Sequence, residues 1–188
     1  MTTAKGTDMN TVNPSEIDTQ LLSLLRDLNR AESDKAHWSR CLARRQETSV
    51  QKWHDEAAAK AAAIRQQIAP LDDLYAQHNW SRFFIVTSSS GHIHKSMHCH
   101  SCNKGRSFTT FALMPSLSGS TTDAAVARLG SALCSHCFPE APADQREQTK
   151  ISQRAAQALL DTGDESQFDA VIADQQKRAA RKAAKVGA

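Results

Sequence analysis

Apolar residues recur at spacings of three and four along the first third of the chain, at Ile17, Leu21, Leu24, Leu28, Ala31, Trp38 and Leu42. That period marks one face of an α-helix. Neither Gly nor Pro interrupts residues 15–69. Ser15, with Asp18 three residues on, reads as a capping-box start. The phase is lost near Glu47-Thr48-Ser49 and regained at Val50, Trp53, Ala57, Ala61, Ile64, Ile68 and Leu71. Two arrangements satisfy this pattern. One is a single long helix, about 80 Å at 1.5 Å per residue. The other, which we prefer, is an antiparallel αα-hairpin turning at Thr48-Ser49. Neither half can bury its stripe alone, so each needs the other half, a second copy of the chain in a homodimer, or a foreign protein. Charges along these helices (Arg26, Arg30, Arg40, Arg44 and Arg45 against Asp27, Glu32, Asp34 and Glu47) are mixed in sign and read as a solvated face.

Pro70 is expected to reset the chain, with Leu71, Leu74 and Tyr75 on one short further helix ended by Asn79-Trp80. The period then changes. Phe83 to Thr87 is aromatic and β-branched, the best strand in the sequence, and Ser88 to Gly91 is its turn. His92-Ile93-His94 returns as a second strand and Ser107 to Met114 forms a third. After a loop over Pro115–Thr122, Asp123 to Leu129 reads as a short helix capped by Thr121 or Thr122 and closed by Gly130. Beyond Pro142 two helices are expected, Ala143–Leu160, ending at Gly163, and Glu165–Ala184. The fold class is therefore α+β and mostly helical. Residues 1–14 form a disordered lead-in, 15–79 a coiled-coil-like arm, 80–142 a small module and 143–188 a helical tail with a basic end.

Cysteine placement gives the module its chemistry. Four of the five cysteines form two Cys-x-x-Cys pairs, Cys99/Cys102 and Cys134/Cys137, separated by thirty-one residues. A two-residue gap lets both thiolates of a pair turn back on one tetrahedral ion, with Zn–S bonds of about 2.3 Å. Two such pairs fill one Zn²⁺ shell, in a module of zinc-ribbon or treble-clef type. A zinc site made of four thiolates is closed, carries a formal charge of −2 and serves structure rather than catalysis. Five histidines stand near the pairs: His92, His94, His98, His100 and His136. Any could replace a cysteine, His98 and His94 best of all; otherwise they are polar strand and knuckle residues that bond to zinc-bound sulfur. Cys41, on a helical stretch, reads as a plain packed thiol.

Composition suits a small core stapled by metal. Among 188 residues aromatics are only 5%, and much of the 40% hydrophobic share is alanine. The N-terminus has no apolar signal-peptide region, and no apolar run approaches the roughly 18 residues of a membrane span. A reducing cytoplasm is the expected compartment, where paired Cys-x-x-Cys motifs bind metal. The net charge of +3 is too mild to imply nucleic acid by itself. No acidic residue lies between Asp73 and Asp123, however, whereas Arg82, Lys95, Lys104 and Arg106 do. The tail carries Lys177, Arg178, Arg181 and Lys182 with no acid after Asp174. These eight residues are the candidate phosphate contacts; the competing readings are that they offset the anionic zinc centre and complement a helix dipole. Signatures of zinc deaminases, zinc proteases, phosphate-binding loops and serine hydrolases are missing. A histidine-rich metal-dependent nuclease is the remote alternative, short of an acidic partner for a hydrolytic metal.

From Leu71 to Pro142 the chain resembles a family of small uncharacterised proteins of actinobacteriophages and their hosts. The likeness is carried by Arg82-Phe83-Phe84, by Gly91-His92-Ile93-His94, and by Cys99/Cys102 and Cys134/Cys137, with Phe138-Pro139 following. It implies a phage origin and a zinc module and implies no activity. The expected function is that of a phage-encoded, non-enzymatic binding protein, engaging itself or a host protein through the arm, with nucleic-acid binding as the alternative.

Overall fold

The computed structural model describes residues 12–45, 47–102, 109–141, 150–166, 168–170, 172–174, 177 and 181. Helix α1 spans Pro14–Leu42 and α2 spans Thr48–His78. The start of α1 lies one residue ahead of the expected cap. Asn13 is the N-cap, its side chain accepting from the Ser15 amide at 3.0 Å, and Pro14 occupies the first turn, where a missing N–H costs nothing. Pro70 does not end α2, contrary to expectation. It is exposed, so the carbonyl it leaves unbonded can turn to water, and the helix runs on to bury Tyr75. Asn79, at φ 54°, then closes it in the left-handed region.

The two helices form the antiparallel hairpin. Small residues let them approach: Ala31 and Ala61 are fully buried against Ile64, with Leu24, Leu28 and Ile68 alongside. Glu32 pairs with Arg65 across the seam, and nearer the turn the rings of Trp38 and Trp53 lie 4.8 Å apart. The middle of each apolar stripe is thus covered by the other half of the same chain.

Strands β1 (Phe84–Val86), β2 (Ile93–His94) and β3 (Phe111–Leu113) make an antiparallel sheet in the order β2-β1-β3, with Phe84 opposite both His94 and Leu113. The expected third strand is cut to its last part; its residues 107 and 108 lie outside the described residues. Helix α3 (Thr122–Leu129) is capped by Thr121 and ends at Gly130, as its sequence predicts. Helix α4 (Gln153–Thr162) begins at the Ser152 cap, well after the expected Ala143. Ahead of it Ile151 exchanges hydrogen bonds of 2.8 and 3.0 Å with Gly91 and so pairs with the β1–β2 turn. Residues 166, 168–170, 172–174, 177 and 181 are helical as well. The expected disorder of residues 1–11 and the helix over 143–149 fall outside the described residues.

One core joins all these segments. Leu21 and Leu22 of α1 meet Phe83, Ile85 and Ile93 around the sheet, Phe138 after the second knuckle, and Leu159 and Phe168 from the C-terminal helices. Beneath it lies an ionic tie. Asp18, fully buried, accepts from Arg82 Nε at 2.9 Å and from Ser118 Oγ at 2.5 Å, while Arg82 Nη1 donates to Asp72 at 2.7 Å. Arg82 also stacks on the Tyr75 ring, 3.7 Å from its centroid. Both helices of the arm are thereby fastened to the residues that enter β1.

Candidate metal centre

Strand β2 delivers His94, and the chain then turns through Cys99 and Cys102, whose knuckle closes with Cys102 N–H donating to the Cys99 carbonyl at 2.9 Å. The second knuckle is docked on the same strand. Leu133 bridges Ile93 in parallel, and Cys134 N–H donates to the Ile93 carbonyl at 2.9 Å. Within that knuckle the Cys134 carbonyl accepts from Cys137 at 3.0 Å and Phe138 at 2.9 Å. Phe138 is fully buried against Phe83. The Phe-Pro exit therefore anchors the second pair in the core.

The pairs meet. One donor atom each from His94, Cys99, Cys134 and Cys137 all lie within 4.8 Å of one another. A tetrahedral ion with bonds of about 2.3 Å sets its sulfur ligands about 3.8 Å apart. The Cys99 and Cys134 sulfurs are 3.9 Å apart, and Cys137 Sγ is 3.7 Å from His94 Nδ1. This cluster has the donors and the spacing of a structural Zn²⁺ site. The expected set was Cys99, Cys102, Cys134 and Cys137, so the compact quartet differs from it in one member. Cys102 is not one of these four, although its Sγ lies 3.6 Å from His94 Nε2. His94 was legible only as one of two favoured replacements. What places it is the register of β2, which pairs it with Phe84 and buries it. His98, the other replacement, is exposed, and His100 and His136 pack edge to face on the outside, ring centroids 4.2 Å apart.

Electrostatics match a cage that waits for a cation. Burial, aided by the nearby His92 and His136, pushes the His94 pKa down to about 4, so its imidazole is neutral and ready to ligate at neutral pH. Burial also pushes the Cys137 thiol up to about 12 and raises Cys102. At Cys99 burial acts in the same sense, but hydrogen bonds from Ser101 outweigh it and the thiol is lowered. An arriving Zn²⁺ must therefore displace protons from sulfur. A polar pocket of 390 Å³ opens beside the cage, with His94, Cys102 and Cys134 in its wall beside Ser90, Ser135 and Lys150.

Four of the eight candidate phosphate contacts, Arg82, Lys95, Lys177 and Arg181, fall among the described residues. Arg82 is corrected: its guanidinium is held by Asp18 and Asp72 and is largely buried, so it is an internal tie. Lys95 is exposed but donates to Thr122 Oγ1 at 2.7 Å and lies 4.8 Å from the Phe138 ring centroid. Lys177 and Arg181 are exposed helical residues. Lys104, Arg106, Arg178 and Lys182 lie outside the described residues. Among the described residues no helix is long and apolar enough to cross a membrane. Compared with protein-family models, with curated proteins and with solved structures, the chain matches none.

Proposed function

We propose that this chain is a zinc-stabilised, non-enzymatic interaction protein whose two-helix arm is its binding element. The observation that carries the reading is at the far end of that arm. Trp53 is 44% exposed and lies against Trp38, with ring centroids 4.8 Å apart, close to the turn between the helices. A large aromatic held open to water on a helix pair is the kind of residue that anchors a protein interface. In this reading the zinc cage is a rivet. Its four ligands are His94, Cys99, Cys134 and Cys137, in a ribbon-like arrangement of a β-hairpin and two knuckles. The Phe-Pro exit of the second knuckle speaks against the long helix that begins at the last ligand of a treble clef. Zinc-binding free energy then holds the base of the arm in place, on the order of 10 kcal/mol in isolated zinc-bound peptides. The phage origin and the cytoplasmic setting rest on the motif resemblance and on the paired Cys-x-x-Cys motifs, which bind metal in a reducing compartment.

The test is affinity capture on tagged full-length protein and on a Trp53→Ala variant, from nuclease-treated host extract, with light scattering of the purified protein alongside. The reading expects a defined protein partner, or a dimer, that is lost in the variant while its melting temperature stays within a few degrees. Capture that depends on nucleic acid and ignores Trp53 would favour the alternative, with Lys177, Arg181 and their neighbours as phosphate contacts.

A further inference from the structure

The first knuckle runs Cys99-His100-Ser101-Cys102 and the second Cys134-Ser135-His136-Cys137. Their third residues are used differently. His136 is exposed and packs on His100, whereas the half-buried Ser101 reaches the sulfurs. Ser101 Oγ lies 3.1 Å from Cys99 Sγ and 3.4 Å from Cys134 Sγ, and the two sulfurs are 3.9 Å from each other. One hydroxyl thus spans both knuckles, at two of the four donors of the cage.

That contact changes character when a metal binds. A thiol can donate to the hydroxyl or accept from it. A metal-bound thiolate has lost its proton and only accepts, so the hydroxyl must then donate, and Cys99 Sγ is its nearer acceptor. Hydrogen bonds to an ionised acceptor are the stronger kind. Main-chain N–H groups already serve the cage, from Ser101 to Cys99 and from Lys95 to Cys137. The Ser101 hydroxyl adds a donor on the face where Cys102 and Cys134 line the polar pocket, which is the face reached by water. We propose that Ser101 is a positioning residue of the metal centre, its hydroxyl tying the two knuckles together and donating to the Cys99 thiolate once the ion is bound. The role depends on the cage holding its metal through Cys99 and Cys134. Outer groups of this kind orient the ligands, and their loss typically lowers metal affinity by about 10–100-fold.

The test compares the full chain with a Ser101→Ala variant, a change that removes a hydroxyl from a half-buried turn and leaves the core side chains in place. Affinity for Zn²⁺ is measured by competition with a chelator, and loading with Co²⁺ gives a sulfur-to-metal charge-transfer band that reports on the thiolates. We expect Ser101→Ala to bind Zn²⁺ about tenfold more weakly or worse. Its cobalt band should move to longer wavelength, because a thiolate that loses a hydrogen bond gives up its electrons more readily. A packing role alone would weaken binding without moving the band. An unmoved band, or undiminished affinity in the variant, would therefore overturn the proposal and leave the cage standing. Wild-type protein that takes up no metal, or takes up cobalt without a sulfur-to-metal band, would overturn the cage and the proposal together.

Discussion

Substituting Arg82→Met tests whether this residue is a fastening or a phosphate contact. Methionine keeps most of the volume and the contact with Tyr75 but removes the charge. Asp18 is 0% exposed and Arg82 19% exposed, so their pair is buried. Removing one partner of a buried pair costs about 3–5 kcal/mol, because the other charge is left without compensation. The Asp72 pair is half open to water, at 48% exposure, and adds no more than about 1 kcal/mol. The total is a large part of the roughly 5–15 kcal/mol that holds an ordinary domain together. The loss should also depend on pH. Burial already raises the Asp18 pKa against the lowering effect of Ser118 and Arg82, and the variant lifts it further. A carboxyl with a raised folded pKa favours folding below its unfolded value, and that contribution is lost as pH rises through the folded value. The deficit of the variant must therefore shrink as pH falls towards the carboxylate range. Urea unfolding with zinc in excess, at pH 7.5 and 5.5, reads both effects. A loss under about 1 kcal/mol at pH 7.5, or weaker nucleic-acid binding with stability intact, would refute the assignment of Arg82 to the interior.

Further outcomes follow from the cage and the turn beside it. Zinc binding at pH 7 should release protons, at least the one held by the raised Cys137 thiol and none from the already neutral His94; calorimetry in two buffers of different ionisation enthalpy counts them, and binding with no release would contradict the assignment of Cys137. Cys102→Ser should keep its zinc through dialysis against a weak chelator, whereas Cys134→Ser should not. Gly91→Ala would bring a Cβ to 2.6 Å from Val86 Cβ and should cost about 1–3 kcal/mol by overpacking, seen as a lower melting temperature with the zinc content unchanged.

Much of this architecture is readable in the sequence, for reasons that can be named. The stripe from Ile17 to Leu42 and the one from Val50 to Leu71 carry the period of a helix, and the phase break between them marks the turn of the hairpin. Phe83 to Thr87 and the Thr121/Gly130 punctuation of α3 are local signals with local consequences. The misses arise where distant residues decide. Pro70 looks like a stop because proline opposes helix interiors, yet it faces water and the turn beyond it is held by buried Tyr75. Ile151 looks like helix until Gly91, far earlier in the chain, offers it a backbone partner. Arg82 looks like a free cation because Asp18 is far away in sequence. At the metal centre the Cys-x-x-Cys spacing reveals two knuckles, while the place of His94 beside them depends on the register of β2 against β1, which pair spacing does not encode.

The most direct test of the zinc rivet is X-ray absorption at the zinc edge, on protein purified without added metal and with total zinc measured in the same sample. The account predicts about one zinc per chain, with a shell of three sulfurs near about 2.3 Å and one nitrogen near about 2.0 Å. Protein that folds with no bound metal, or a shell built of oxygen and open to water, would contradict it.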